Sequence, residues 1–346
     1  PIFASKTGDI AIWQQGDFPA KWKRQGDFMM PGFDSSYLWK GIIPQQDNPH
    51  MKNPARGYVS SANQAATDTS YPYYIGNDFP VYRGYMINRY LDGMSGITPT
   101  DMEKMQTDNY NVLGEFSKDI LMRTDESKLS ADEQKYFALY KSWNFRSDPH
   151  EKGATVFNVW WKELEKSIWS DEFDTTHVKL PWPNEATLVE SLHKDSAYHF
   201  IDDIRTPQHE TLEDRLLVSL RTATSQLKKI DSAGKLEWAK FKGTGVQHLL
   251  KLAPFSRLNL PVGGGAGMIN ASKDNHGPSW RMIVHLAPVT DAYGVYPGGQ
   301  SGNPGSKYYD DFIDTWAAGK YYLLWVMKKS DAIDKRVKWT MKFSKA

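Results

Sequence analysis

Between residues 96 and 250 the sequence sets apolar side chains three and four positions apart, the spacing of helices that bury one face. The flanking stretches are mostly short strands and turns. The segment "GATVFNVWWKELEKSIW" carries Val156, Val159, Trp160, Leu164 and Ile168 on one helical stripe, and "TLEDRLLVSLRTATSQLKKI" repeats the pattern. Thr98 or Thr100 is placed to cap a helix running through "PTDMEKMQTDNYNVLGEFSKDIL", with Asp101 and Glu103 in its first turn. Ser130 is placed to cap "SADEQKYFALYKSW". Residues 1–95 are instead rich in Gly, Pro and aromatics, as in "GDFPAKW" and "NPHMKNPARGYVSSAN". Residues 251–346 return to strands in "WRMIVHLAPV" and "AYGVYPGG", followed by a helix expected from Ser306. A helical insertion at 96–250 between strand-rich zones at 1–95 and 251–346 predicts an α+β fold, with a single sheet completed by both ends of the chain. The opening "PIFASKTGDIAIW" already alternates like a strand at Ile10 and Ile12, so a piece of a longer protein is expected.

Charge removes several functions. Lys and Arg number 42 against 41 Asp and Glu, so no basic field favours nucleic acid or an anionic membrane. The absence of cysteine excludes disulfides, thiolate catalysis and Cys-based metal centres. No apolar run is long enough to span a bilayer, and a signal peptide is expected to lie outside these residues. The 13 Trp and 18 Tyr suit either sugar and acyl recognition or a bulky core.

The motifs exclude more. The nine histidines form no HExxH and no close metal-ligand pair; His276 and His285, near one strand, read as structural. The acid pairs Asp202–Asp203 and Asp310–Asp311 are sequence neighbours, which a helix points about 100° apart, so neither makes a glycosidase pair. There is no GxSxG elbow. "GGQSGNPGSK" is not a phosphate cradle: its lysine follows the serine, Pro304 lacks an N–H, and Asp310 and Asp311 occupy the start of the expected helix. The loop reads as a corner between strand and helix, capped by Ser306.

The blocks "GDIAIWQQGDFP", "PGFDSSYLWKGIIP", "NPARGYVSSANQ" and "YRGYMINRYL", then "NHGPSWRMIVHL" and "YGVYPGGQSGNPGSKYYDDFIDTWAAGKYYLL", follow one another in a telling order. In that order and spacing they resemble the C-terminal portion of the large chain of the penicillin acylase family of N-terminal-nucleophile amidohydrolases. "KSWNFRSDPHEKGATVFNVWW" and "KLEWAKFKGTGVQHLL" match the intervening helical part more weakly. Where members often have "SPHYDD", this chain has Ser306, Lys307, Tyr308, Tyr309, Asp310 and Asp311; the replaced histidine has no catalytic part in the family.

The resemblance implies a four-layer αββα fold with a helical insertion, produced by autocatalytic cutting of a precursor into two chains. It implies cleavage of linear amides, such as the acyl side chains of β-lactams or N-acyl homoserine lactones, by an N-terminal serine whose own α-amine is the base. An α-amine suits that task because its pKa lies near neutrality. Carried onto this chain, the oxyanion-donating amide is Asn63 and the site-organising arginine is Arg83, with Arg89 the weaker candidate. The serine itself falls upstream, since Pro1 has neither hydroxyl nor thiol. The partner is then the N-terminal part of the same precursor, the ligand a small N-acyl compound, and the compartment periplasmic or extracellular. No cofactor is required. Family members can carry a structural calcium; "GDFP" with Pro19 falls near one backbone ligand, whereas Asp78 does not line up with a second. A reading from a different class is a non-catalytic module whose aromatics recognise sugars or acyl groups.

Overall fold

The computed structural model describes residues 1–76, 81–173, 181–195 and 197–345. The two ends of the chain each build their own sheet. Strands β1 (Ile2–Ala4), β2 (Ile10–Trp13) and β3 (His50–Lys52) pair antiparallel in that order. Strands β4 (Arg281–His285), β5 (Asp291–Val295) and β6 (Tyr322–Leu324) do the same. The single shared sheet expected from the sequence is therefore replaced, among the described residues, by two three-stranded sheets. The reason is local. The turn between β1 and β2 closes with the Gly8 N–H bonded to Ser5 O at 3.2 Å, and such short loops lose less entropy than joining ends hundreds of residues apart. The two hairpin turns still meet, where Lys6 Nζ donates to Pro288 O at 3.2 Å.

Helices fill the middle: α1 (Tyr82–Asp92), α2 (Pro99–Gln106), α3 (Val112–Leu121), α4 (Ala131–Lys141), α5 (Gly153–Trp169), α6 (Glu185–Lys194), α7 (Leu212–Ser232) and α8 (Trp238–Lys242). Thr98, Ser130 and Thr211 each close a reciprocal capping box, with Asp101, Glu133 and Asp214. The long helix expected from Thr98 to Leu121 is broken in two. Asp108 accepts from Tyr110 N at 3.0 Å and Asn111 caps α3 through Gly114 N at 3.0 Å, so the Asp/Asn run captures the backbone groups a continuous helix would need.

The main core lies between α4, α5 and α7, where Val156, Val159, Trp160, Leu164 and Ile168 are all buried as their spacing predicts. Burying each such side chain contributes roughly 1.5–3 kcal/mol. The indole of Trp160 donates to Ser219 Oγ at 3.1 Å, so its one polar atom is satisfied. A smaller core under the C-terminal sheet contains Leu260, Val262, Val295, Ile313 and Trp316.

A polar chain joins the two bodies of structure. Arg146 pairs with Asp108 at 3.0 Å and with Asp148 at 2.9 Å, and Asn109 donates to Asp148 at 2.8 Å. Asn270 donates to Asn109 at 2.9 Å and accepts from buried Arg281 of β4 at 3.0 Å.

The loop at 296–316 is a turn-rich corner, but not as its sequence suggested. Helix α9 begins at Ile313 and ends at Ala317, so Ser306 is not its cap; Ser306 Oγ accepts from Tyr308 N at 3.2 Å within a turn. The early start fails because side-chain turns at Asn303 and Ser306 take the backbone N–H groups that a helix would use. Asp310 and Asp314 both pair with Arg257, the former at 2.9 Å.

Candidate active site

The segment 58–64 lies along α1 as a ladder. Tyr58 OH donates to Asp92 Oδ1 at 2.7 Å, Ser60 Oγ donates to Asn88 Oδ1 at 2.6 Å, and Gln64 packs on Gly84. Residues 84, 88 and 92 share one helical face, so one side of α1 fixes the register of the whole segment. The fit at Gly84 is close: a Cβ there would lie 2.3 Å from Gln64 Oε1. An isolated glycine inside a helix is the sequence signal for such a close approach.

Asn63 sits beside that contact with φ +51°, a left-handed conformation that Asn tolerates better than most residues. Its side chain is exposed and makes no hydrogen bond among the described residues, so both N–H groups of its amide are unspent. Arg83, next to Gly84, is half-buried, and no carboxylate pairs with it among the described residues. Arg89 is differently placed: it binds Glu115 at 2.8 Å and lies 5.8 Å from the Tyr110 ring centre. The structure thus sets Asn63 and Arg83 each one residue from the Gln64–Gly84 contact and ties Arg89 to a carboxylate of α3.

The residues flanking Asn63 line a cleft of about 590 Å³ with Trp13, Gln14, His50 and Ser60. Trp13 and His50 stack at 4.1 Å with an 11° angle between rings, forming a flat wall, and His50 Nδ1 is held by Asn48 O at 2.7 Å. The Oε1 atoms of Gln14 and Gln64 are buried without a hydrogen-bond partner among the described residues. Ser60 gives its proton to Asn88, and no histidine or carboxylate bonds Ser61, so the cleft serines are not activated nucleophiles among the described residues. The arrangement offers a neutral donor beside a half-apolar cleft, which suits binding of a developing oxyanion.

The other sequence candidates have local roles. His285 pairs with Asp291 at 3.0 Å and His276 bonds Asn275; both are exposed rather than set in the core. Asp203 is held by Arg205 and Arg215, which keep its carboxyl below the usual range, with the Arg205 bond the larger cause. Pro19 pairs with Ile42 in a single antiparallel bridge. Among the described residues no three His, Asp or Glu side chains gather as metal ligands do. Asp78 lies outside the described residues. The glycine-rich corner borders a second cleft of about 570 Å³, lined by Val246, His248, Phe255, Tyr309 and Asp310. No described helix is long and apolar enough to cross a membrane.

Comparison with known proteins places these features in context. The penicillin amidase family model matches residues 1–332. An acyl-homoserine lactone acylase, QuiP, of Pseudomonas syringae pv. syringae (strain B728a) is 26% identical over 357 residues, covering 92% of this chain and 43% of the relative. The penicillin acylase 2 proenzyme of Pseudomonas sp. (strain SE83) is 22% identical over 163 residues, covering 46% of this chain and 21% of the relative. Among solved structures, the thermostable penicillin G acylase from Alcaligenes faecalis superposes with a TM-score of 0.63 at 14% identity, covering 100% of this chain and 67% of that one. The chain thus spans less than half the length of the curated relatives it matches.

Proposed function

Because the chain belongs to the penicillin amidase family, we propose that it is the C-terminal portion of an amidohydrolase that cleaves linear N-acyl amides, such as acyl homoserine lactones or β-lactam side chains. The nucleophile is an N-terminal serine upstream of Pro1, in a precursor cut into two chains and exported, and the two sheets belong to an αββα core. The serine hydroxyl gives its proton to the serine's own α-amine as its oxygen bonds the amide carbonyl carbon. The Asn63 amide donates to the oxyanion that forms. Collapse of this intermediate breaks the C–N bond, the amine leaves with the proton, and water then hydrolyses the acyl-serine. Arg83 holds a polar group of the substrate or the serine end of the partner segment.

The observation that carries this reading is the presentation of Asn63: an unspent amide, turned out by a left-handed backbone and braced on α1. The competing binding-module reading rested on the aromatic bias, and much of that bias is structural, since Trp143, Trp160, Trp161, Trp169, Trp238 and Trp316 are buried.

In the full-length protein Asn63→Ala is expected to lower kcat about a hundred- to thousand-fold, the usual cost of an oxyanion donor, with KM little changed. A change below about fivefold would return Asn63 to an ordinary turn amide. Residues 1–346 purified alone are expected not to hydrolyse acyl anilides.

A further inference from the structure

Lys242, the last residue of α8, spends all three of its ammonium protons on backbone carbonyls: Gly263 O at 2.7 Å, Gly264 O at 3.0 Å and Ser272 O at 2.9 Å. No carboxylate pairs with it among the described residues, and the Trp238 ring centre lies 5.8 Å away on another side. Burial alone pulls this amine down to about 7, so its charge is costly there unless the carbonyls that face it favour the protonated form.

The carbonyls do not converge because of the lysine alone. Gly264 O also accepts from Trp238 Nε1 at 2.7 Å, and Gly264 and Gly267 turn the loop with φ of +74° and +75°. A Cβ at Gly263 would lie 2.4 Å from Asn109 Nδ2, and one at Gly264 2.1 Å from Asn270 O of the same loop, so the loop packs closely on Asn109 and on itself. Carbonyl clusters of this kind replace the hydration shell of a small monovalent cation, whereas hard divalent ions are usually held with carboxylates as well, and none pairs with Lys242 among the described residues.

We propose that the 263–272 loop is a monovalent-cation seat that Lys242 fills with its own tethered ammonium, and that a free ammonium or potassium ion takes the seat when the side chain is removed. The seat bears on the candidate site through the same loop, because Gly267 lies against the Tyr82 ring, one residue before Arg83.

The test uses the full-length protein and three chains: wild type, Lys242→Ala and Lys242→Met. Each is melted in potassium, ammonium and tetramethylammonium chloride at equal ionic strength. Lys242→Ala should melt several degrees below wild type in tetramethylammonium and recover part of that loss in potassium or ammonium. Lys242→Met, which fills the same space without charge, should be destabilised in all three salts without recovery, and wild type should not discriminate among them. Equal melting of Lys242→Ala in all three salts, or stability of Lys242→Met equal to wild type, overturns the proposal. Should Lys242→Ala not fold during production, its refolding yield from denaturant with and without ammonium decides, and an unchanged yield counts against the seat.

Discussion

Gly84 shows how one missing side chain connects the two residues on which the proposed chemistry rests. In an exposed helix, Gly to Ala stabilises by roughly 0.5–1 kcal/mol. Here the added methyl would meet Gln64 at 2.3 Å (Oε1) and 3.2 Å (Cβ), and Gln64 is the residue after Asn63. The end of a glutamine can swing aside, so Gly84→Ala should keep its fold and its melting temperature while shifting the turn that presents Asn63. A loss of about tenfold in kcat is expected, since small misplacements of a catalytic group are costly. Unchanged kcat would mean that the Tyr58 and Ser60 rungs alone hold the turn. None of this was legible in the sequence beyond the resemblance that picked out Asn63 and Arg83, because the Gln64–Gly84 contact is made in space between two blocks read separately.

Elements were legible where their signals are local. The caps at Thr98 and Ser130 depend on residues three apart, and the buried stripe of α5 on a simple period, so both could be read directly; the box at Thr211 carries the same signal. The errors came where polar side chains compete with the backbone, at the Asp108–Asn111 break and in the turns that delay α9 to Ile313. The glycine-rich corner gives a test at this scale. Gly299 has no positive φ, yet a Cβ there would lie 2.1 Å from Tyr308 O, a backbone atom that cannot swing away. Gly302 has open space around it and no positive φ. Gly299→Val should therefore destabilise by about 1–3 kcal/mol, the range for overpacked sites, while Gly302→Val should be nearly silent. Equal denaturation midpoints for the two variants would remove close approach as the reason for the loop's composition.

The tertiary scale was the least legible, because which elements meet depends on contacts the sequence does not order. The alternation of strands and helices gave the α+β class, yet the pairing of each end with itself and the Arg281–Asn270–Asn109 chain between helices and sheet had no sequence signal. The junction of α1, α5 and α6 belongs to this scale and makes stability depend on pH. Burial, and then the charge of Glu185 on α6, push Glu165 of α5 up to about 7, against the opposing pull of the Trp161 indole and the Lys162 ammonium. Tyr82 of α1, whose hydroxyl is buried without a partner among the described residues, is raised by burial and then by the charges of Glu185 and Glu165. An unfolded glutamate releases its proton near its ordinary value of 4.5, whereas the folded chain holds it until about 7. Between those values the folded state binds more protons, so this stabilisation is complete below the unfolded pKa and is lost as pH rises through the folded one. Glu165→Gln removes the charge while keeping the shape, and should stabilise the protein by roughly 1–3 kcal/mol at pH 8. Near pH 5 the wild-type side chain is already protonated, so the two melting temperatures should converge there. A difference that stays constant between pH 5 and pH 8 would show that Glu165 carries its charge in the folded state, with a partner that stabilises it.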